Sequence, residues 1–123
     1  MAAQNRNSVK SVERTFRIVG GLQELDGAGV TELSSHLDLP KSTVHNYLST
    51  LEREAYVVKE DDEYRVGLRF LEHGAYARNQ SPIFEVARPE LDRLAEETGE
   101  LVNLLVEEHG MGIYLYRTRG ENA

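Results

Sequence analysis

Residues 40–54 read PKSTVHNYLSTLERE, and this stretch decides the fold. On a helical wheel of about 100° per residue counted from Val44, Leu48, Leu51 and Ala55 fall within roughly 40° of the origin, with Tyr47 at the edge of the stripe. Ser42, Asn46, Ser49 and Arg53 fall within roughly 40° of the opposite pole, and Thr43 and Thr50 lie further round. The spacing predicts a helix over 40–54 with a narrow apolar stripe turned inward. Its outer face carries only small or hydrogen-bonding side chains. Pro40 suits its first turn, where a missing amide costs nothing.

Working outward, Leu33 and Leu37 supply the inner face of a short preceding helix, with Thr31 as its cap and Val30 as a staple. Asp38, Leu39 and Pro40 separate the two helices, the spacing of a helix-turn-helix. Before them Val12, Phe16, Val19, Leu22 and Leu25 recur at threes and fours from Ser11 to Leu25, predicting a first helix with one buried face. Gly20 and Gly21 inside it imply close approach by a neighbouring helix. Asp26, Gly27 and Gly29 stop it. After Ala55 the period changes to two: Tyr56–Lys59 and Tyr64–Val66 read as strands around the acidic turn Glu60–Glu63. Helix, short helix, turn, helix and hairpin make a winged helix-turn-helix over residues 8–67.

The rest reads as a linker helix over Leu68, Leu71, Ala75 and Arg78, a linker at Asn79–Pro82, and a further helix over Ile83–Thr98. A second hairpin follows, with strands Leu101–Val106 and Ile113–Tyr116 joined through His109–Gly112. One helix and one hairpin are too little to bury a sheet. Residues 83–123 are therefore expected either to be cut from a larger domain or to pair with another copy. The predicted class is α+β.

Composition narrows the functions. The 123 residues contain no cysteine, which removes disulfides, thiolate nucleophiles and cysteine-ligated zinc. The polar start MAAQNRNSVK lacks the apolar centre of a secretory signal, and no apolar run is long enough to span a bilayer, so a cytoplasmic location is expected. His36, His45, His73 and His109 are scattered, and Glu96–Glu97 and Glu107–Glu108 read as solvated faces. No catalytic constellation, cofactor or metal set is present, and no enzyme is expected.

The net charge of −7 sits awkwardly with a phosphate-binding partner. Residues 1–59 hold seven basic and seven acidic side chains, whereas residues 60–123 hold seven Arg against fourteen Asp and Glu. The whole excess therefore belongs to the second half. Only Lys10, Lys41 and Lys59 among the basic residues are lysines, a bias that with the acidity suggests a salt-loving source. In concentrated salt the Debye length shrinks to about 3 Å and long-range repulsion is screened.

The outer face of the 40–54 helix is suited to the major groove of duplex DNA. Asn46 is placed to pair bidentately with adenine, and Arg53 to reach guanine or phosphate. Ser42, Thr43, Ser49 and Thr50 offer hydroxyls, Lys41 adds charge beside the free amides of the helix start, and His45 flanks the face as a phosphate contact. A winged helix that binds only protein is the alternative, which should show an exposed apolar patch there.

GVTELSSHLDLPKSTVHNYLSTLEREAYVV followed by YRVGLRFLEHG resembles the amino-terminal domain of the IclR family of bacterial and archaeal transcriptional regulators. The resemblance covers roughly residues 8–76, and LPKSTVHNYLSTL is its most specific part. It implies a winged-helix DNA-binding domain, a linker helix used in homodimer formation, and an effector-binding domain for a small molecule. FEVARPELDRLAEETGELVNLLVEEHGMGIYLYRTRG resembles only the start of that last domain. Carried over by position, Lys41, Ser42, Thr43, His45, Asn46 and Tyr47 lie on the recognition helix, and the wheel moves Tyr47 to the core. The wing tip Glu60–Glu63 departs from the expected pattern, placing four carboxylates where phosphate contact favours Lys or Arg.

Overall fold

A computed structural model describes residues 7–123; Met1–Arg6, most of the polar start read above, lie outside the described residues. The order is α1 (Lys10–Glu24), α2 (Val30–Leu37), α3 (Lys41–Arg53), β1 (Val57–Glu60), β2 (Glu63–Val66), α4 (Phe70–Asn79), α5 (Pro82–Thr98), β3 (Leu101–Glu108) and β4 (Met111–Arg119). The chain divides into two units, up to Phe70 and from Leu71 onward. It is a mixed α+β fold with a winged helix-turn-helix in the first unit.

That unit closes around Ile18, Val19, Leu22, Ala28, Leu33, Val44, Leu48, Leu51, Val57 and Tyr64. The inward stripe of α3 is buried as far as Leu51. Ala55 is not part of it: it lies exposed past the helix end with φ +67°. The amides of Ala55 and Tyr56 bond back to Glu52 and Leu51, at 2.9 and 2.8 Å, a left-handed closure for which glycine is the usual residue. In α1 the buried stripe is Ile18, Val19 and Leu22, whereas Val12 and Phe16 are 52% and 65% exposed. Periodicity identifies the apolar face of a helix, but burial also needs a close neighbour along its whole length, and among the described residues Val12 borders only a groove toward α3.

The two glycines of α1 differ sharply. A Cβ on Gly21 would stand 2.8 Å from Leu33 Cδ1 and 3.2 Å from Leu37 Cδ2, while one on Gly20 would meet nothing within 4 Å. Only Gly21 serves close helix packing. We expect Gly20→Ala to stabilise the unit by about 0.5–1 kcal/mol through lower unfolded-state entropy. Gly21→Ala should destabilise it by about 1–2 kcal/mol through overpacking. Urea midpoints of the two variants should move in opposite directions; a shared direction rejects the packing argument.

Helix α2 starts one residue earlier than its predicted cap. Gly29 is the N-cap, with no side-chain hydrogen bond, and Thr31 is exposed inside the first turn. A Cβ on Gly29 would lie 3.1 Å from the Asp62 carbonyl oxygen, so the wing backbone crosses this point closely. Ala28 bridges to Tyr64 beside the hairpin, with hydrogen bonds of 3.0 and 2.8 Å between their backbones. The wing turn is tighter than the acidic stretch suggests: Glu60 pairs with Glu63, and only Asp61 and Asp62 turn, at φ +49° and +69°. Aspartate tolerates that left-handed region better than most residues.

In α4 no residue is buried, and Leu71 and Tyr76 stand exposed. In the second unit α5 lies against both strands of the β3–β4 hairpin. Phe84 and Ala95 are buried. Tyr116 donates a 2.6 Å hydrogen bond to Asp92, and its ring meets Phe84 edge-on at 5.6 Å. The strands run longer than the sequence suggests because His109 and Gly110, at φ +54° and +76°, make a two-residue turn that keeps Glu108 paired with Met111. No helix among the described residues is long and apolar enough to cross a membrane.

Candidate nucleic-acid interface

Helix α3 begins without a side-chain cap at Pro40, whose carbonyl already receives Val44 N–H at 3.0 Å. The amides of Lys41, Ser42 and Thr43 precede that first helical bond. An uncapped amino end with a lysine at its first position presents partial positive charge outward, the arrangement an anionic phosphate favours.

Along the helix the predicted contact residues separate into three tracks. Lys41, Ser42, His45, Asn46, Thr50 and Arg53 are exposed, while Thr43 and Ser49 are half-buried. His45 faces the wing: it shares an open concavity with Thr31, Glu32, Lys59, Asp61, Asp62 and Glu63. Asn46 and Thr50 lie on the other flank, in a groove shared with Val12 and Thr15 of α1, Leu51 and Tyr56. Ser42, Ser49 and Arg53 run between these flanks. The Thr50 hydroxyl donates to the Asn46 carbonyl at 3.0 Å, which leaves its lone pairs, rather than its proton, available to a partner. Tyr47 is partly buried against the core.

The turn between α2 and α3 is tied from both sides. Asp38 takes the left-handed conformation with φ +55°, and Leu39 N–H bonds to the Ser34 carbonyl at 3.1 Å. Ser34 Oγ donates to the Leu39 carbonyl at 2.5 Å, and Arg17 Nη2 donates to the Leu37 carbonyl at 2.7 Å. Behind α3, Arg69 donates to the Glu54 carbonyl at 2.6 Å and stacks over Tyr56 at 4.8 Å. That Arg17, Thr31, Lys59 and Arg69 lie at or beside α3 was not read from the sequence. Arg17 meets the turn before α3, Arg69 the residue after it, and Thr31 and Lys59 the concavity beside His45, and no local pattern encodes these contacts.

At the wing, Arg65 Nε pairs with Glu60 at 2.7 Å, and Lys59 Nζ sits 5.7 Å from the Tyr64 ring centre. Asp61, Asp62 and Glu63 retain exposed carboxylates. The wing side of α3 is therefore negative and its amino end positive. Among the described residues no group of three or more His, Asp or Glu could hold a metal ion.

Residues 11–61 match the IclR helix-turn-helix domain family. The chain is 34% identical over 117 residues to a probable HTH-type transcriptional regulator, ArcR, of Halobacterium salinarum, covering 94% of this chain and 44% of that protein. It is 30% identical over 113 residues to the HTH-type transcriptional regulator KdgR of Escherichia coli, covering 90% and 43%. An IclR family transcriptional regulator from Brucella abortus superposes with a TM-score of 0.78 at 22% identity, over 98% of this chain and 48% of that one. This chain thus spans somewhat less than half the length of each.

Proposed function

We propose that this chain, whose residues 11–61 match the IclR helix-turn-helix domain family, regulates transcription by reading the major groove of duplex DNA through α3, as a homodimer. The observation that carries the reading is the uncapped, polar, largely exposed outer face of α3 on a helix whose inner face is fully committed to the core. Lys41 and the free amides hold phosphate, and Ser42, Asn46, Ser49 and Arg53 address base edges. Thr43, His45 and Thr50 flank them. Residues 8–67 are the DNA-binding domain, 68–82 the linker helix and linker, and 83–123 the start of an effector-binding domain. Dimerisation is supported by the exposed Leu68 and Leu71, since a single copy reads one half-site only. A cytoplasmic location follows from the partner, and no catalytic step is part of the reading.

Duplexes selected from a randomised pool, followed by shift assays from low to high salt, test the reading. An enriched sequence bound more tightly than a scrambled one is expected. No enrichment at any salt would leave the protein-binding alternative, which the exposed Val9, just before α1, and Val12 and Phe16 on it would then favour.

The wing makes its own prediction. If Asp61 and Asp62 stand near the backbone of bound DNA, Asp61→Asn with Asp62→Asn removes two repelling charges. Affinity at low salt should rise several-fold and the gain should vanish as salt screens the field, on the order of 1 kcal/mol or less per charge. Equal affinity of wild type and variant at low salt means that the wing stays off the backbone and that its acidity is a solvated feature suited to concentrated salt.

A further inference from the structure

We infer that Arg17 is a positioning residue that sets the angle of the recognition helix; the inference rests on the DNA-reading role proposed for α3. The last carbonyls of a helix have no partner within it. In α2 the Ser34 carbonyl receives the amide of Leu39, and the Leu37 carbonyl receives Arg17 from α1 at 2.7 Å. A guanidinium is favoured at that end by the helix dipole and by its charge-assisted bond. Leu37 is followed at once by Asp38, held at φ +55°, and three residues after that by Lys41, the start of α3. The bond therefore pins the turn from which the recognition helix departs.

Arg17 does not act alone on that surface. Arg17, Gly21 and Glu24 follow at spacings of four and three, which puts them on one face of α1. Arg17 meets the Leu37 carbonyl, Gly21 admits Leu33 and Leu37, and Glu24 faces His36 Nε2 at 3.2 Å. This face grips α2 along its last two turns, and Arg17 is its contact at the turn. The second tie on the turn, Ser34 to Leu39, comes from α2 itself and does not fix the turn relative to α1.

Base contacts are short and directional, whereas phosphate contacts made by flexible side chains and free amides tolerate small rotations. Releasing the turn should therefore degrade base discrimination first and leave general DNA affinity in place. The rival role is direct: Arg17 is exposed and has the charge to touch a phosphate itself. In that case its removal weakens selected and scrambled DNA alike and lowers the salt slope by about one.

The test uses the whole chain as wild type, Arg17→Met and Arg17→Lys, with the duplex selected above and its scrambled form, across a salt series. We expect Arg17→Met to lower the selected-to-scrambled affinity ratio about tenfold, the scale of one good base contact. Scrambled-DNA affinity and salt slope should be unchanged, and Arg17→Lys, which keeps a charged donor group, should recover most of the ratio. An unchanged ratio, or equal losses on both duplexes with a shallower slope, overturns the inference. Should wild type enrich no sequence, the DNA-reading role itself fails. Hydrogen exchange then decides Arg17 separately: faster exchange at the Asp38 and Leu39 amides in Arg17→Met supports its hold on the turn, and unchanged exchange refutes it.

Discussion

A chain carrying Leu48→Ala is expected to lose most of the stability of its first unit. Leu48 is fully buried at the middle of the α3 stripe, in the core cluster with Ile18, Leu22 and Leu33. Cutting a buried leucine to alanine costs about 2–5 kcal/mol, because transfer energy is lost and the cavity collapses only in part. A unit of this size holds roughly 3–9 kcal/mol in all, so the single change takes a large fraction of it. Urea unfolding followed by far-ultraviolet circular dichroism should show a far lower midpoint at similar slope. Leu48→Met, which conserves volume, should cost less than about 1.5 kcal/mol. A wild-type midpoint for Leu48→Ala would mean that α3 does not pack through this face, and the outward assignment of its polar residues would fall with it.

The second large effect concerns the opposite face. Asn46→Ala should weaken binding to the selected duplex about ten- to a hundredfold, in keeping with roughly 1–3 kcal/mol for a bidentate base contact. The loss should be confined to sites that keep the adenine it reads; on a duplex already substituted at that base the variant and wild type should bind equally. Arg53→Ala should behave in one of two recognisable ways. A phosphate contact lowers affinity evenly across sequences and reduces the salt slope by about one, whereas a guanine contact relaxes preference at one position. Both side chains are exposed and α3 is held by its buried stripe, so thermal unfolding of either variant should match wild type. Wild-type binding by both variants would remove α3 as the reading surface.

The position of Asn46 refines its part. It lies on the α1 flank of the helix, beside Val12 and Thr15, rather than on the midline with Ser42 and Arg53. On the proposed reading its reach would favour bases toward that edge of the interface. His45 lies on the wing flank among Glu32, Asp61, Asp62 and Glu63, where carboxylates would oppose any phosphate it met.

The order of helices, the α3 stripe, the existence of both hairpins and the polarity of the outer face were legible in the residues themselves. Each rests on a local property: a period of 3.6 or 2, a proline at a helix start, aspartate and glycine at a turn. What a segment does beyond its own period was not legible. The stripe of α1 includes Val12 and Phe16 by spacing, yet both are exposed while Ile18, outside that spacing, is buried with Val19, Gly21 and Leu22, because burial depends on which neighbours the fold brings alongside. Gly20 and Gly21 are the same residue in adjacent positions, and only the approach of Leu33 and Leu37 makes one of them necessary. Both flanks of α3 are polar on a wheel; that the wing borders one and α1 the other is not written there. The hold of Arg17 on Leu37 spans twenty residues and is written in no pattern. The sequence by itself determined the elements and which side of each is apolar, since those follow from short-range geometry. Tertiary structure alone decided how far each side is covered and which polar groups meet, because both are properties of neighbours distant in the chain.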